Sequence, residues 1–278
     1  MDTLIRAGLS VVKRHGDQPV IPGLDVAGTI DATGPGIAGP LQVGDRVMAM
    51  VNPTRPEGGG YAQWVVLPES WIALAPSGST HAEAATLPMN GLTALRALDH
   101  LTIPPGGTLA VTGAAGAVGG YAVQLAKAAG HRVLADAAPA DTGLVTALGA
   151  DVVVPRGTSV ARHFREFAPD GLDAVIDAAV IGRPLIGALR PGGTLVTLRG
   201  APEDVAMAAE AARSEVRTTA AFVHDYDARG DLLERLRDLT EKGSLTLRVA
   251  EVLRAAEAVR AHELLEGGGV RGRIVLEF

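Results

Sequence analysis

Short apolar runs separated by glycine and proline fill the first 76 residues of the chain. The runs VAGTIDATG, VGDRVMAMV and YAQWVVLP are bounded by the turn-rich stretches GPGIAGP and PEGGG. Apolar and polar positions that alternate between such turns predict β-strands with one buried face. This part of the chain therefore predicts a β-barrel or β-sandwich segment.

The pattern changes near residue 80 to apolar strands that alternate with helical segments. The candidate strands are TLAVTG, HRVLADA, DVVVP, DAVIDAA and GTLVTLRG, and helical periodicity begins at about Ala117 and again near Leu144. Apolar strands in alternation with helices are typical of a doubly wound parallel sheet. We therefore predict an α/β fold with a Rossmann domain.

The end of the chain returns to a β-type pattern. LTLRVAEVL and RGRIVLEF have the composition of strands and enclose the helical segment AAEAVRAHELLEG. A β-rich start and end around an α/β segment predict one discontinuous domain that is interrupted by another. The predicted β-type domain is 1–76 plus 245–278, and the predicted Rossmann domain is 77–244.

The stretch VTGAAGAVGG carries the clearest chemical signal, because an apolar strand ends at Thr112 and a helix follows. Small residues at 114, 116 and 119 fit the dinucleotide-binding fingerprint, with alanine in the place of its first glycine. Amides at the start of such a helix face a diphosphate. The predicted cofactor contacts in this loop are Ala114, Ala115, Gly116, Ala117, Val118 and Gly119. A strand-to-helix turn without a ligand is the alternative.

Composition narrows the choice of chemistry. The 278 residues include no cysteine, which excludes disulfides, thiolate nucleophiles and zinc sites with sulfur ligands. The net charge of −6 is spread without a basic stripe, so nucleic acid is not an expected partner. No apolar run is long enough for a membrane span, and the start of the chain has no signal-peptide pattern. We expect a cytoplasmic protein without a membrane partner.

Several motifs follow one another along nearly the whole chain: DTLIRAG, IPGLDVAG, VGDRVMAM, AATLPMNGLTALRAL, VTGAAGAVGGYAVQLAK and DAVIDAA. In this order they resemble the medium-chain dehydrogenase/reductase superfamily, and within it the zinc-free quinone oxidoreductase branch. The resemblance implies a Rossmann domain inserted in a GroES-like β-barrel. The family normally has a further strand pair before DTLIRAG, so a truncated barrel with unpaired strand edges is expected.

The resemblance also implies further site residues. Thr93 is expected beside the nicotinamide, although a helix-capping role is an equal alternative. The loops after DAVIDAA and TLVTLRG are expected on the far side of the ring. The residues transferred from the family on these grounds are Asp177, Ala178, Gly200, Phe222 and Val223. Tyr61 is a candidate catalytic residue, against which a packing role is the stronger alternative.

The choice of nicotinamide cofactor depends on residues after the glycine loop. Asp136 lies about where an acid holds the ribose 2′-OH of NAD, but it precedes the usual position by one residue. Ala137 then occupies that position and leaves room for a 2′-phosphate, for which Arg156 is a candidate partner. We therefore expect NADPH, with NADH as the alternative, and no metal.

The predicted reaction is hydride transfer from the cofactor to a small electrophilic acceptor, a quinone or an α,β-unsaturated carbonyl compound. One rival is an enoyl-thioester reductase of the same superfamily. The other is a nucleotide-binding protein that lacks activity because of the missing strand pair. A homodimer is the assembly that the resemblance implies, with TTAAFV as a candidate edge.

Overall fold

The computed structural model describes residues 2–8, 20–35, 39–55, 58–198 and 204–278. The chain divides into two compact units. We call Met1–Leu92 with His224–Phe278 the β unit and Thr93–Val223 the α/β unit.

The strands are β1 Asp25–Thr29, β2 Arg46–Met50, β3 Ile72–Leu74, β4 Thr108–Thr112, β5 Arg132–Ala137, β6 Val152–Pro155, β7 Leu172–Asp177, β8 Leu189–Thr197, β9 Arg217–Ala220, β10 Val249–Arg254 and β11 Arg273–Glu277. The α-helices are α1 Asp2–Arg6, α2 His81–Ala84, α3 Pro88–Asp99, α4 Ala117–Ala128, α5 Thr142–Ala147, α6 Val160–Phe167, α7 Val205–Arg213, α8 Gly230–Glu241 and α9 Ala258–Gly267. Short 3₁₀ helices cover Glu69–Trp71, Pro139–Asp141, Arg183–Ala188, Val223–Tyr226 and Ala255–Glu257.

The α/β unit contains a parallel sheet with the strand order β6-β5-β4-β7-β8-β9. Its inner strand β4 has three consecutive apolar residues between two threonines, and these residues, Leu109, Ala110 and Val111, are completely buried. A continuous apolar run, rather than an alternating one, is what a parallel strand covered on both faces requires. The predicted Rossmann sheet is confirmed.

One face of this sheet packs against α6 and the 3₁₀ helix Arg183–Ala188. Phe164 of α6 is completely buried in a cluster that includes Leu134, Leu172 and Leu195. These side chains tie the helical layer to the strands and fix the sheet whose carboxyl ends carry the predicted cofactor loop.

The β unit contains a small antiparallel sheet in the order β1-β2-β3 and a parallel pair, β10-β11. Val26 pairs with Ala49, and Met48 pairs with Ala73. Within the described part of the chain, YAQWVVLP forms no strand, contrary to the sequence-based expectation. The exposed fractions of Trp64 and Val66 are 68% and 87%. Alternation alone does not make a strand, because a ladder also needs a neighbouring strand.

The division into units cuts α3 between Leu92 and Thr93, although this helix is continuous. The segments 77–92 and 224–244 cluster with the β unit. The domain boundaries at 76 and 245 stay a prediction, because a division within a helix does not locate a linker. None of the helices in the described ranges is long and apolar enough to cross a membrane.

Candidate functional site

The glycine loop lies at the point where the connections of the parallel sheet change direction. Strand β4 has β5 on one side and β7 on the other, and chain order from β4 reads 3-2-1-4-5-6 across the sheet. Open α/β sheets bind ligands at this switch point, beyond the carboxyl ends of the strands. The loops after β4, β5 and β7 therefore form the candidate binding site.

Two glycines give the loop after β4 its shape. Gly113 has φ +64°, a left-handed conformation that L side chains rarely adopt. A Cβ atom on Gly119 would lie 2.3 Å from the carbonyl oxygen of Gly113, so the helix can approach the loop only without a side chain there. Gly113 makes the tight turn, and the sequence analysis did not include it among the small positions of the fingerprint. The dipeptide Thr-Gly at the end of a strand was the signal for it.

The start of α4 is open to an anion. The helix begins at Ala117, and its N-cap Gly116 has no side chain to accept from the first amides. Amides in the first turn of a helix have no acceptor within the helix and carry the positive end of its dipole. Ala114 and Ala115 are buried, whereas Gly116, Ala117 and Val118 are partly exposed. This arrangement fits the diphosphate of a dinucleotide.

Asp136 lies next to the last residue of β5 and is only 5% exposed. Its carboxylate accepts a hydrogen bond from the Gly113 amide at 2.6 Å, and the Ala114 amide also donates to it. Burial raises the pKa of Asp136 above its usual value, against the lowering effect of these amides and of Arg156. The acid is thus engaged with the glycine loop.

Asp177, at the end of β7, is completely buried. Its carboxylate accepts from the Thr112 hydroxyl at 2.6 Å and from the amides of Ile181 and Gly182 at 3.1 and 2.7 Å. The Thr112 hydroxyl in turn accepts from the amide of Ala179. Asp177 therefore fixes the loop after β7 to the end of β4. Sequence reasoning had assigned Asp177 to the cofactor and did not find Thr112.

The remaining predicted cofactor residues of the α/β unit have separate positions. Thr93 is the sixth residue of α3 and is 7% exposed, so it does not cap that helix. The backbone of Ala178 lies 3.2 Å from where a Cβ on Gly113 would be, next to the glycine loop. Phe222, which follows β9, is 50% exposed, and Val223 begins a 3₁₀ helix. Gly200 lies outside the described residues.

Arg156 follows β6 and is exposed. Its amide donates to the carbonyl oxygen of Ala137, so Arg156 and the end of β5 are neighbours. Within the described residues, no hydrogen bond or ion pair is recorded for its guanidinium group. The charge is available at the edge of the sheet where the ribose of a dinucleotide is expected.

Tyr61 belongs to the β unit. Its hydroxyl lies 3.1 Å from Nε2 of His262, and burial raises its pKa to about 12. Its ring contacts the ring of Phe278 at a tilt. A partly buried tyrosine with these partners favours the packing role over proton transfer near neutral pH.

Across the described ranges, no group of three or more histidine or acidic side chains is placed to hold a metal ion. The sequence has no cysteine to add.

Comparison with known proteins agrees with this geometry. The family model for the alcohol dehydrogenase GroES-like domain matches residues 1–77, and the zinc-binding dehydrogenase model matches residues 148–276. A probable zinc-binding oxidoreductase, mitochondrial, from Arthroderma benhamiae is 31% identical over 274 residues, which are 94% of this chain and 80% of the relative. The chain belongs to the medium-chain dehydrogenase/reductase superfamily, in its quinone oxidoreductase-like branch.

Two plant relatives are longer than this chain. A 2-methylene-furan-3-one reductase from Solanum lycopersicum is 29% identical, and an NADPH-dependent alkenal/one oxidoreductase from Arabidopsis thaliana is 30% identical. Each alignment covers 82% of this chain but only 55% of the relative. The chain thus spans about half the length of these two proteins.

Solved structures share the fold. An alcohol dehydrogenase superfamily protein from Novosphingobium aromaticivorans has a TM-score of 0.88 at 26% identity, and covers 99% of this chain and 88% of its own. A quinone oxidoreductase from Coxiella burnetii has a TM-score of 0.83 at 28% identity, with coverages of 100% and 86%. A mycobacterial protein solved in complex with NADPH has a TM-score of 0.83 at 28% identity, with coverages of 99% and 87%. The GroES-like and Rossmann fold class is confirmed.

Proposed function

We propose that this protein is an NADPH-dependent reductase that transfers hydride to a quinone or an α,β-unsaturated carbonyl compound. The observation that carries the proposal is the glycine loop at the switch point of the parallel sheet. Gly119 approaches the backbone of Gly113 so closely that only hydrogen fits between them. This loop and the uncapped start of α4 form a cradle for a dinucleotide diphosphate.

The protein residues bind and orient the reactants. The glycine loop and the amides in the first turn of α4, which begins at Ala117, bind the diphosphate. Thr93, Ala178, Phe222 and Val223 are the residues that we expect near the nicotinamide ring, with Gly200 among them by family resemblance. When bound, the reduced nicotinamide supplies the hydride. Holding the acceptor in line and excluding water are the main tasks left to the chain.

NADPH is favoured over NADH by the residues at the ends of β5 and β6. Ala137 has only a small, uncharged methyl side chain, which does not repel a 2′-phosphate, and the charge of Arg156 is near enough to Asp136 to oppose the rise of its pKa. Arginine pairs well with phosphate. The NADPH named for the Arabidopsis relative and for the mycobacterial structure supports the same choice.

The acceptor class rests on the relatives. One is named for alkenals and enones, another for a furanone, and a solved structure is named a quinone oxidoreductase. All three names describe electron-poor acceptors that take hydride at carbon or oxygen. An enoyl thioester is the rival acceptor.

A homodimer is part of the proposal. Strand β9, Arg217–Ala220, is the last strand in the order of the six-stranded sheet, and no other strand of the described residues pairs with its outer edge. Pairing of two such edges across a two-fold axis would extend the sheet. Light scattering on the purified protein measures its mass directly.

The test begins with titration of the protein by NADPH and NADH. It continues with NADPH oxidation assays using 1,2-naphthoquinone, an enone and crotonyl-CoA. We expect NADPH binding and turnover of the quinone or the enone. Turnover of crotonyl-CoA alone would assign the enoyl-thioester reductase, and binding without turnover would leave only a nucleotide-binding protein.

A pair of glycine variants links the result to the loop. Gly119→Ala places a Cβ against the Gly113 backbone and should weaken NADPH binding at least about tenfold. Gly143→Ala is the matched control, because a Cβ there meets nothing within 4 Å. Equal affinities in both variants would contradict the proposed binding site.

A further inference from the structure

Asp136 is in the region where a dinucleotide fold often has an acid for the ribose, but its contacts are of another kind. The side chain is 5% exposed, and the Gly113 amide donates to its Oδ1 at 2.6 Å. The Ala114 amide donates to the same carboxylate. Both donors belong to the loop that is proposed to bind the diphosphate.

The geometry of the loop explains why it needs such an acceptor. Gly113 has φ +64°, and its carbonyl oxygen accepts from the Gly116 amide at 2.9 Å. The turn therefore directs the amides of Gly113 and Ala114 away from the strand ladder and towards the end of β5. A buried amide without an acceptor is costly, and a carboxylate is a strong acceptor.

The neighbouring strands place Asp136 for this task. Val111 of β4 pairs with Ala135, and Asp136 is the next residue of β5, level with the end of β4. Ala137 follows and pairs with Pro155 of β6. Successive side chains of a strand point to opposite faces, so Asp136 and Ala137 serve different surroundings.

We propose that Asp136 is a positioning residue that holds the Gly113–Ala114 turn in its diphosphate-binding shape and does not select between NADPH and NADH. The inference rests on the proposed function as far as nucleotide affinity is concerned. Loss of the carboxylate then weakens the binding of every nucleotide that uses the loop, with or without a phosphate at the ribose 2′ position.

Isothermal titration of Asp136→Ala with NADP⁺ and NAD⁺ tests this role. We expect both dissociation constants to rise by about tenfold, with their ratio changed by less than about threefold. If Asp136 instead bound the ribose, the result would differ. The affinity for NAD⁺ would then fall, while NADP⁺ would bind equally well or better. That outcome would overturn the proposal.

Asp173→Ala is the matched control. Asp173 also accepts from a backbone amide of β4, that of Thr108 at 2.7 Å, but at the opposite end of the strand. This variant removes a backbone contact of the same kind, together with the ion pair between Asp173 and Arg190, and should leave both nucleotide affinities within about twofold of the parent. Equal weakening in both variants would show a general loss of structure and would contradict a specific role for Asp136.

Hydrogen exchange in the nucleotide-free protein separates this inference from the proposed function. We expect the amides of Gly113 and Ala114 to exchange at least about tenfold faster in Asp136→Ala than in the parent. Unchanged exchange would overturn the positioning role even if nucleotides bind. If the parent binds neither nucleotide, the proposed function fails, and the exchange experiment still decides the role of Asp136.

Asp136→Asn covers the case in which the alanine variant does not fold. The amide side chain keeps one acceptor oxygen and nearly the same volume but loses the negative charge, so its hydrogen bonds with the two loop amides are weaker. We expect exchange rates and both dissociation constants between those of the parent and of a fully released loop. Parent-like protection of both amides would contradict the need for a carboxylate.

Discussion

Apolar side chains are used differently in the two units. In the α/β unit, Leu109, Ala110 and Val111 of β4 are completely buried between two paired strands. In the β unit, Trp64 and Val66 belong to a run of similar composition but are 68% and 87% exposed. The difference teaches that apolar composition stabilises a strand only where a ladder and a covering layer are both supplied.

The largest expected effect on stability comes from a comparison of two aromatic residues, one in each unit. Phe164→Ala empties a completely buried position and should lower the free energy of unfolding by about 3–5 kcal/mol. Trp64→Ala removes a larger but exposed side chain and should change it by less than about 0.5 kcal/mol. Urea denaturation followed by circular dichroism measures both. Similar losses in the two variants would contradict the described burial.

A buried carboxylate sharpens the comparison within the α/β unit. Asp177→Ala leaves the Thr112 hydroxyl and the amides of Ile181 and Gly182 without their acceptor, and should cost about 2–3 kcal/mol. Thr112→Val should cost about 1 kcal/mol, and the double variant should cost less than the sum. Chemical denaturation of the three proteins gives the coupling. Strict additivity would show that the two side chains do not interact.

Asp227 provides the counterpart in the β unit. Burial alone would raise the pKa of Asp227. Hydrogen bonds from His224, Asn52 and Arg55 and the charge of His224 have the opposite effect, which is larger, and they hold the pKa below 3.8. Because the pKa is lower in the folded state than in the unfolded state, the ionised carboxylate stabilises the fold at any pH above the pKa of the unfolded state. This contribution to stability is lost as the pH falls through the pKa of the folded state, in the acid range below 3.8.

We therefore expect Asp227→Asn to cost about 1–2 kcal/mol at pH 7 and to lose less stability than the parent on acidification. Asp231→Asn is the control, because Asp231 is 62% exposed beside Arg229 and its loss should cost less than about 0.5 kcal/mol. Thermal unfolding between pH 7 and pH 2.5 checks both. An unchanged acid response in Asp227→Asn would contradict the assigned contacts.

The smallest expected effect is a gain. Val180 has φ +57° and is 52% exposed, and a β-branched residue is strained in that conformation. Val180→Gly should stabilise the protein by about 0.5 kcal/mol, because relief of strain exceeds the entropy cost of glycine. Val259→Gly, in the exposed part of α9, should instead be destabilising. Calorimetry distinguishes the two signs.

The elements predicted from the sequence were those whose signal is local. Strand β4, the glycine loop and α4 could be predicted because an apolar run, small residues and helical periodicity follow directly in the chain. The non-strand conformation of Trp64 and its neighbours was missed because it depends on which strands lie beside them. Thr93 lies inside a helix because that helix, α3, begins at Pro88. The residues next to Thr93 do not show where the helix begins.

The candidate site shows the same limit. Asp136 and Asp177 were assigned to the cofactor, but Asp136 accepts from Gly113, 23 residues away, and Asp177 accepts from Thr112, 65 residues away. Residue type and spacing do not reveal which backbone amides a carboxylate accepts from. Thr112 was missed for the same reason, since its role exists only through Asp177.

Gly113 contacts three segments that lie apart in the sequence. Its amide donates to Asp136 of β5, its carbonyl oxygen accepts from the Gly116 amide before α4, and a Cβ added to it would lie 3.2 Å from the backbone of Ala178 after β7. A displacement of any one of these segments must therefore be transmitted to the other two through a single residue. A methyl group added to Gly113 would press on the backbone of Ala178 and Ala179 and would strain the left-handed turn, so this residue limits how far the loop after β4 can change without moving the loop after β7.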